Sequence, residues 1–212
     1  MTKLLFIQAS PRGAVSKSIK IAETYLARLA AHNPDLEIDR LELWTADLPA
    51  FDGNKAAAKM NVFTGQAQEG ATRTVWDEIT EIAARFTSAD RYLFAVPMWN
   101  GGVPYRLKHY IDLIHQPGFT FGLTPENGYF GLLEGKQATV VLTSGAYAPQ
   151  FPSPAFGTDH HSTYIRDWLT QAGVTDIDEL RFQPTLLTAD PAGDLARVEA
   201  AAAALADRHS AI

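Results

Sequence analysis

Three short segments of the chain combine small, hydroxyl-bearing and aromatic residues in patterns that suit a ligand pocket. They span residues 10–18, 97–104 and 143–147, and each directly follows an apolar run. If those runs are parallel strands, their carboxyl ends lie side by side, and open α/β sheets bind ligands in the crevice beyond those ends. The placement of the three segments therefore predicts one shared binding site.

The first segment carries hydroxyls at Ser10, Ser16 and Ser18 and a small Gly13, and it opens a helical pattern. Backbone amides at a helix N-terminus, together with hydroxyls, form a cradle for a terminal phosphate. The segment lacks the Gly-x-Gly-x-x-Gly pattern of pyrophosphate loops and the Gly-Lys-Ser/Thr ending of nucleoside triphosphatases. It favours a monophosphate, and an ordinary strand-to-helix turn with serine caps is the alternative.

The second segment packs Met98, Trp99, Asn100 and two glycines between two prolines. Such a turn can present backbone amides and an aromatic edge to a flat ring, while Asn100 hydrogen-bonds to the polar rim of that ring. The alternative is a rigid turn whose Trp99 fills a surface gap. The third segment, which ends in Tyr147, indicates little by itself.

Composition excludes several classes of function. The 212 residues suit one domain, 1–212, and the net charge of −6 gives no field that attracts nucleic acid. No stretch approaches the roughly 20 apolar residues that span a bilayer, so a cytoplasmic protein is expected. Because the chain has no cysteine, it has no disulfide or thiolate, and redox activity requires a bound cofactor. No metal site is predicted, and Asp159-His160-His161 is interpreted as a helix cap.

Apolar periodicity predicts the elements that position the three segments. Lys3–Ala9, Tyr92–Val96 and Ala138–Leu142 are expected to be strands buried on both faces, whereas Leu36–Leu43 and Leu180–Pro184 suit sheet edges. Helical patterns fall between the strands, and the last begins at an Asp-Pro pair. The order βαβαβαβαβα predicts a flavodoxin-like, doubly wound, five-stranded parallel sheet in the order 2-1-3-4-5, with helices on both faces.

Two connections are too long for simple loops. Residues 45–71 and 116–135 are expected to be functional or to form an interface. The second contains Gly118-Phe119-Thr120-Phe121. The Gly131–Lys136 stretch at its end leads into the fourth strand. In order and spacing, these stretches and the three segments resemble the FMN-dependent NADH-azoreductases, which are relatives of the quinone reductases.

The resemblance implies an FMN site and assigns its residues. The FMN phosphate would be held by Ser10, Ser16, Lys17 and Ser18. The isoalloxazine ring would be bordered by Met98, Trp99, Asn100 and Gly101, and its far edge by Ser144, Gly145, Ala146 and Tyr147. Family members often have an aromatic residue at the position of Gly101 and Arg-Gly-Gly at that of Ser144-Gly145-Ala146, so the chain departs from the pattern at both places.

The resemblance also implies the activity. NADH or NADPH would donate a hydride to FMN and leave, and a quinone or azo compound would then take the electrons in a ping-pong reaction. A homodimer with FMN sites at its interface is expected, with Phe119 and Phe121 facing the substrate. The alternatives are an electron carrier of the flavodoxin type and a phosphate-ligand binding domain without redox activity. No acidic residue that reads a ribose is identified, so NADH and NADPH remain equally open.

Overall fold

Residues 2–210, which are the residues that the computed structural model describes, contain seven strands and six α-helices. A 3₁₀ turn at Gly13–Val15 precedes the first helix. The bounds, in chain order, are β1 Lys3–Gln8, α1 Lys17–His32, β2 Glu37–Glu42, α2 Gly53–Thr64, α3 Gly70–Thr87, β3 Arg91–Pro97, α4 Tyr105–Ile114, β4 Phe121–Thr124, β5 Gly128–Gly131, β6 Gln137–Thr143, α5 Ser162–Gln171, β7 Asp176–Phe182 and α6 Pro191–Ser210.

Five of the strands form one parallel sheet in the order β2-β1-β3-β6-β7. Counted among these five strands alone, this is the predicted order 2-1-3-4-5. Gln8 at the end of β1 pairs with Ala95 of β3, and Pro97 at the end of β3 pairs with Thr143 of β6. The register therefore brings the carboxyl ends of β1, β3 and β6 to the same edge of the sheet.

Helices cover both faces of the sheet, as predicted. Leu4, Phe6 and Leu93 point to one face, where they join a buried cluster with residues of α1 and α6. Leu5 and Phe94 point to the other face and join residues of α3, α4 and α5. Because neighbouring residues of a strand face opposite sides, apolar runs without interruption are what a sheet covered on both faces requires.

The sequence misplaces the last strand and leaves three elements out. β7 begins at Asp176 rather than at Leu180 and ends before Pro184. The apolar pattern does not reveal its first half, because several of those residues are acidic, as an edge strand allows. The connection 45–71 contains α2, which is capped by the Asp52 carboxylate and ends at a left-handed Gly65. The connection 116–135 contains the antiparallel hairpin of β4 and β5.

The last helix begins where the sequence predicts. Asp190 Oδ1 accepts a hydrogen bond of 2.9 Å from the Gly193 amide, and Pro191 is the first helical residue. In the described range 2–210, none of the helices is long and apolar enough to cross a membrane.

Phe86 of α3 provides a test of the core. Its fully buried ring stacks on Tyr92 with the centroids 4.3 Å apart, and it packs against Trp168 of α5. We expect Phe86→Ala to lower the free energy of unfolding by about 3–5 kcal/mol, because it removes apolar contacts and leaves a cavity. Urea titration followed by circular dichroism measures this change.

The matched control is Met60→Ala, since Met60 is 56% exposed. We expect this variant to stay within about 0.5 kcal/mol of the wild type. A loss below about 1 kcal/mol in Phe86→Ala would contradict the assignment of this ring to the core.

Candidate functional site

The three predicted segments emerge from adjacent strands and meet at one edge of the sheet. The Ala9 amide donates to the Ala95 carbonyl at 3.0 Å, and the Met98 amide donates to the Thr143 carbonyl at 2.7 Å. Neighbouring strands lie about 4.8 Å apart, so the three loops line one crevice about two strand spacings wide. We refer to residues 9–16 as the first loop, 98–104 as the second loop and 144–148 as the third loop.

Two serine hydroxyls meet at the N-terminus of α1, and a third lies in the first loop. Ser16 caps the helix through its Oγ, which also lies 3.1 Å from Ser18 Oγ, and Ser10 Oγ accepts the Arg12 amide at 3.3 Å. All three hydroxyl-bearing residues are at most 6% exposed. The first amides of a helix have no acceptor within it, so this arrangement places several polar donors around a site of positive potential. Lys17, between the two serines, is exposed.

The second loop turns sharply at Asn100 and Gly101. Trp99 and Gly102 exchange backbone hydrogen bonds of 2.9 and 3.0 Å across this two-residue turn. Asn100 has φ of 50° and Gly101 has φ of 83°, which together define the type I′ geometry. Asparagine and glycine are the residues that tolerate these positive angles, and the turn exposes Asn100 at its tip.

Gly101 is therefore explained by the backbone. A Cβ at this position would lie 3.5 Å from the Thr158 carbonyl oxygen, which is ordinary contact, whereas the φ angle would strain any side chain. The structure shows a glycine-adapted turn at the place where the resemblance leads one to expect an aromatic residue.

The third loop is held by one internal hydrogen bond and by hydrogen bonds to the segment that follows β7. The Ser144 hydroxyl donates to the Tyr147 carbonyl at 2.5 Å, and the Thr185 amide donates to the Ser144 carbonyl at 2.8 Å. The Leu186 amide donates to Gly145 at 3.0 Å, while Ala146 is exposed. The Ser144 proton is thus used within the loop, and the small residues beside it are what this loop offers to a ligand.

A segment that the sequence analysis treats only as a cap connects the loops. Asp159 does cap α5, since its Oδ1 accepts the Ser162 amide at 2.7 Å. Its other oxygen lies 3.3 Å from the Tyr147 hydroxyl of the third loop, and the His160 amide donates to the Gly101 carbonyl at 3.1 Å. His161 Nε2 lies 3.0 Å from the Val96 carbonyl of β3. We call residues 159–161 the strap.

Two ionisable groups of the strap are shifted by their surroundings. Burial lowers the pKa of His161 from its usual 6.5 to about 4, and the neighbouring Asp159 carboxylate offsets only part of that effect. Burial acts to raise the pKa of Asp159, but hydrogen bonds from Ser162 and His161 outweigh it, so this pKa lies below its usual value. The strap therefore holds a neutral histidine beside an ionised carboxylate at neutral pH.

Phe119 and Phe121 do not lie with the three loops within one chain. The ten residues of α4 carry the chain about 15 Å away from the second loop. The Phe119 ring stacks on Trp76 at 5.4 Å, and Phe121, 3% exposed, packs against His115 at 4.6 Å. In a single chain these rings serve packing, and the substrate-facing role that the resemblance implies for them remains a prediction.

Fold and site together define the class of this protein as flavodoxin-like. A family model described as flavodoxin-like fold matches residues 2–208. An azoreductase structure from Bacillus anthracis str. Sterne has a TM-score of 0.87 at 23% identity, covers 98% of this chain and is itself covered completely. At that identity the likeness concerns the fold.

Proteins of similar sequence show to which family the chain belongs. The FMN-dependent NADH:quinone oxidoreductase of Ruegeria pomeroyi is 50% identical over 95% of this chain and 98% of its own length, and that of Desulfotalea psychrophila is 41% identical over 88% and 87%. An FMN-dependent NADH-azoreductase from Bacillus anthracis str. Ames Ancestor, solved in complex with FMN, has a TM-score of 0.85 at 26% identity and covers 99% of this chain and 100% of its own. The chain belongs to the family of FMN-dependent NADH:quinone oxidoreductases, which are enzymes, and the resemblance noted in its sequence is confirmed.

The buried histidine of the strap predicts how stability depends on pH. Between pH 7.5 and pH 5 the unfolded chain takes up a proton at His161, whereas the folded chain, with the lower pKa, does not. We therefore expect the free energy of unfolding to fall on acidification, with a contribution from this residue on the order of 2 kcal/mol.

Urea titrations of the wild type and His161→Gln at both pH values measure that contribution. His115, whose pKa burial also lowers to about 4, acts in the same direction and remains in the variant, so the difference between the two proteins isolates His161. His160→Gln, which changes the exposed neighbour, should keep the loss seen in the wild type. Equal losses in the wild type and His161→Gln would contradict the assignment.

Proposed function

We propose that this protein is an FMN-dependent oxidoreductase that transfers electrons from NADH or NADPH to quinones or azo compounds. The observation that carries the proposal is the cluster of buried serine hydroxyls at the N-terminus of α1, one strand away from the turn at Asn100. The family membership of the chain supports the same function.

The first loop suits a monophosphate such as that of FMN. Ser10, Ser16 and Ser18 supply hydroxyl donors, and the first amides of α1 supply backbone donors that the helix leaves without partners. Hydroxyl and amide donors can surround a phosphate dianion, and Lys17 adds one positive charge nearby. These residues would hold the phosphate.

The second and third loops suit a flat ring with a polar rim. Asn100 presents an amide group that can donate and accept at that rim, beside the half-exposed indole of Trp99. Met98 is fixed by the hydrogen bond from its amide to the Thr143 carbonyl, and the exposed Ala146 presents only a methyl group beside the third loop. The type I′ turn orients these groups before any ligand binds, which lowers the entropic cost of binding.

Bound FMN would supply the redox chemistry: it would accept a hydride from the reduced nicotinamide and pass a hydride to the quinone or azo group, which would gain its second proton from water. The residues of the chain bind the phosphate, orient the ring and limit the access of water. Because the reduced nicotinamide and the acceptor would occupy one crevice in turn, we propose ping-pong kinetics. No acidic or basic side chain is required to take up a proton from the ring.

A homodimer remains part of the proposal. Apolar side chains are exposed on α2 and on the hairpin, and contiguous apolar surface of this kind marks a contact area. They are Met60, Val62, Phe63, Leu123, Tyr129, Phe130 and Leu132. Since α4 separates Phe119 and Phe121 from the loops of their own chain, a substrate-facing role for these rings requires a second copy. A cytoplasmic location stays a prediction of the sequence.

The colour of the purified protein tests the function. We expect a yellow protein whose visible flavin absorbance is bleached by NADH in the absence of oxygen. Benzoquinone should then restore the absorbance. A protein that retains no flavin after incubation with FMN and removal of the unbound FMN by gel filtration would contradict the proposal. Colour that NADH does not bleach would favour the electron carrier.

A pair of variants tests the assignment of Asn100. We expect Asn100→Gly to weaken FMN binding about tenfold, because it removes the amide while glycine keeps the positive φ. Asn100→Ala removes the amide and also strains the turn by about 1 kcal/mol, so it should weaken binding further. Titration of the apoprotein with FMN, followed by quenching of flavin fluorescence, measures both dissociation constants.

Asn127→Gly is the matched control, because Asn127 is an exposed turn residue of the hairpin, remote from the three loops. We expect it to bind FMN as the wild type does. Unchanged FMN affinity together with an unchanged rate of reduction in Asn100→Gly would refute the role of this residue.

A further inference from the structure

A cleft of about 550 Å³ lies on the β2 side of the first loop, away from the second and third loops. Ser10 and Gly13 of the first loop form one wall, and Ile19 of α1 forms another. Arg40 and Glu42 of β2, with Trp44 just beyond it, complete the lining that matters here. The cleft therefore borders the proposed phosphate site but is separate from the part of the crevice that would hold the ring.

Backbone pairing fixes the acidic and the aromatic residue of this cleft. Glu42 is the last residue of β2 and pairs with Gln8 of β1, two residues before Ser10. The Leu43 amide donates to the Gln8 carbonyl at 3.1 Å, which extends that pairing. Trp44 Nε1 donates to the Ala9 carbonyl at 2.9 Å, so the indole is anchored beside the first loop.

Charges in the cleft leave one carboxylate free. Arg40 is paired with both oxygens of Glu23, one of them at 2.9 Å, and Lys20 Nζ lies 3.1 Å from Glu199. Within residues 2–210, Glu42 takes part in no side-chain hydrogen bond or ion pair, and it is exposed. A ligand that enters the cleft therefore meets a carboxylate whose oxygens accept no hydrogen bond from the described residues, although Arg40 attracts it electrostatically; Arg40 and Lys20 are each paired with another glutamate.

A free carboxylate at the end of the second strand of a βαβ unit suits a ribose. The vicinal 2′- and 3′-hydroxyls of adenosine donate to such a carboxylate, whereas a 2′-phosphate is repelled by it. Ile19 and Trp44 provide apolar surface against which a base can pack. The sequence gives no sign of this role, because Glu42 is one of several charged residues in an edge strand.

The distance to the flavin site also suits a dinucleotide. β2 and β3 are separated by β1 alone, so their carboxyl ends lie about 10 Å apart. An extended dinucleotide that runs along the solvent side of the first loop, beside the FMN phosphate rather than in its place, spans such a gap. One end of the ligand can then lie at the second loop while the other lies at Glu42.

We propose that this cleft binds the adenosine end of NADH and that Glu42 is the residue that selects NADH over NADPH. The inference rests on the proposed function, which it extends to the choice of electron donor. The chemical class recognised is an adenosine with a free 2′-hydroxyl.

Calorimetric binding of ADP-ribose to the FMN-loaded protein tests the cleft without catalysis. We expect the wild type to bind ADP-ribose at least about tenfold more tightly than its 2′-phosphorylated form, and Glu42→Gln to bind ADP-ribose about tenfold more weakly. Glu37→Gln, at the opposite end of the same strand, should bind both as the wild type does. Circular dichroism of Glu42→Gln and of a second variant, Glu42→Ser, confirms that each is folded.

Steady-state kinetics provide a second test of the role of Glu42. We expect Glu42→Gln to lower kcat/KM for NADH but not for reduced nicotinamide mononucleotide, which lacks the adenosine, and to leave kcat/KM for benzoquinone unchanged. Wild-type protein that does not bind ADP-ribose, or Glu42 variants with an unchanged preference between the two ligands, would overturn the inference. Glu42-dependent binding of ADP-ribose without any oxidation of NADH would instead overturn the proposed function and leave the cleft standing.

Discussion

Parallel pairing of β1, β3 and β6 in register is the constraint on which the rest of the molecule depends. It brings the ends of three strands to one edge, and only there can three loops so far apart in the chain face the same ligand. Parallel strands require crossover helices, and these helices also bury both faces of the sheet. The same arrangement thus stabilises the core and creates the crevice.

Each loop contributes to the crevice through a different local structure. The first loop uses the free amides of a helix N-terminus and hydroxyls buried around it. The second loop uses a two-residue turn whose positive φ angles suit Asn100 and Gly101. The third loop uses hydrogen bonds to the segment that follows β7, which leave Ala146 exposed. The crevice therefore combines backbone groups with the side chains of Ser10, Ser16, Ser18 and Asn100.

Features with a local signal were predictable from the sequence, and features that depend on distant backbone contacts were not. Serines before a helical pattern mark the first loop, and a Pro-rich stretch with Asn100 marks the second. α2 also has local signals, the cap at Asp52 and the glycine at Gly65. These signals do not predict a helix by themselves, because the connection lacks a strong apolar stripe. By contrast, the beginning of β7 is hidden by acidic residues, because an edge strand does not need an apolar run.

The role of the strap could not be predicted, because it depends on main-chain groups. His160 contributes its amide, and an amide is common to every residue except proline, so no residue type marks the contact with Gly101. Glu42 was missed for a related reason: its importance lies in its neighbours, Gln8 and Trp44, and only the sheet register reveals them. Residue types indicate what chemistry is available, whereas the register decides where it is assembled.

The strap has a consequence for motion. Asp159 caps α5 and contacts Tyr147, while the next residue, His160, is bonded to the turn of the second loop. Helix ends are the parts of a fold that open with the least free energy. A displacement of the first turn of α5 would therefore break contacts of the second and third loops together, so the start of this helix couples the two loops.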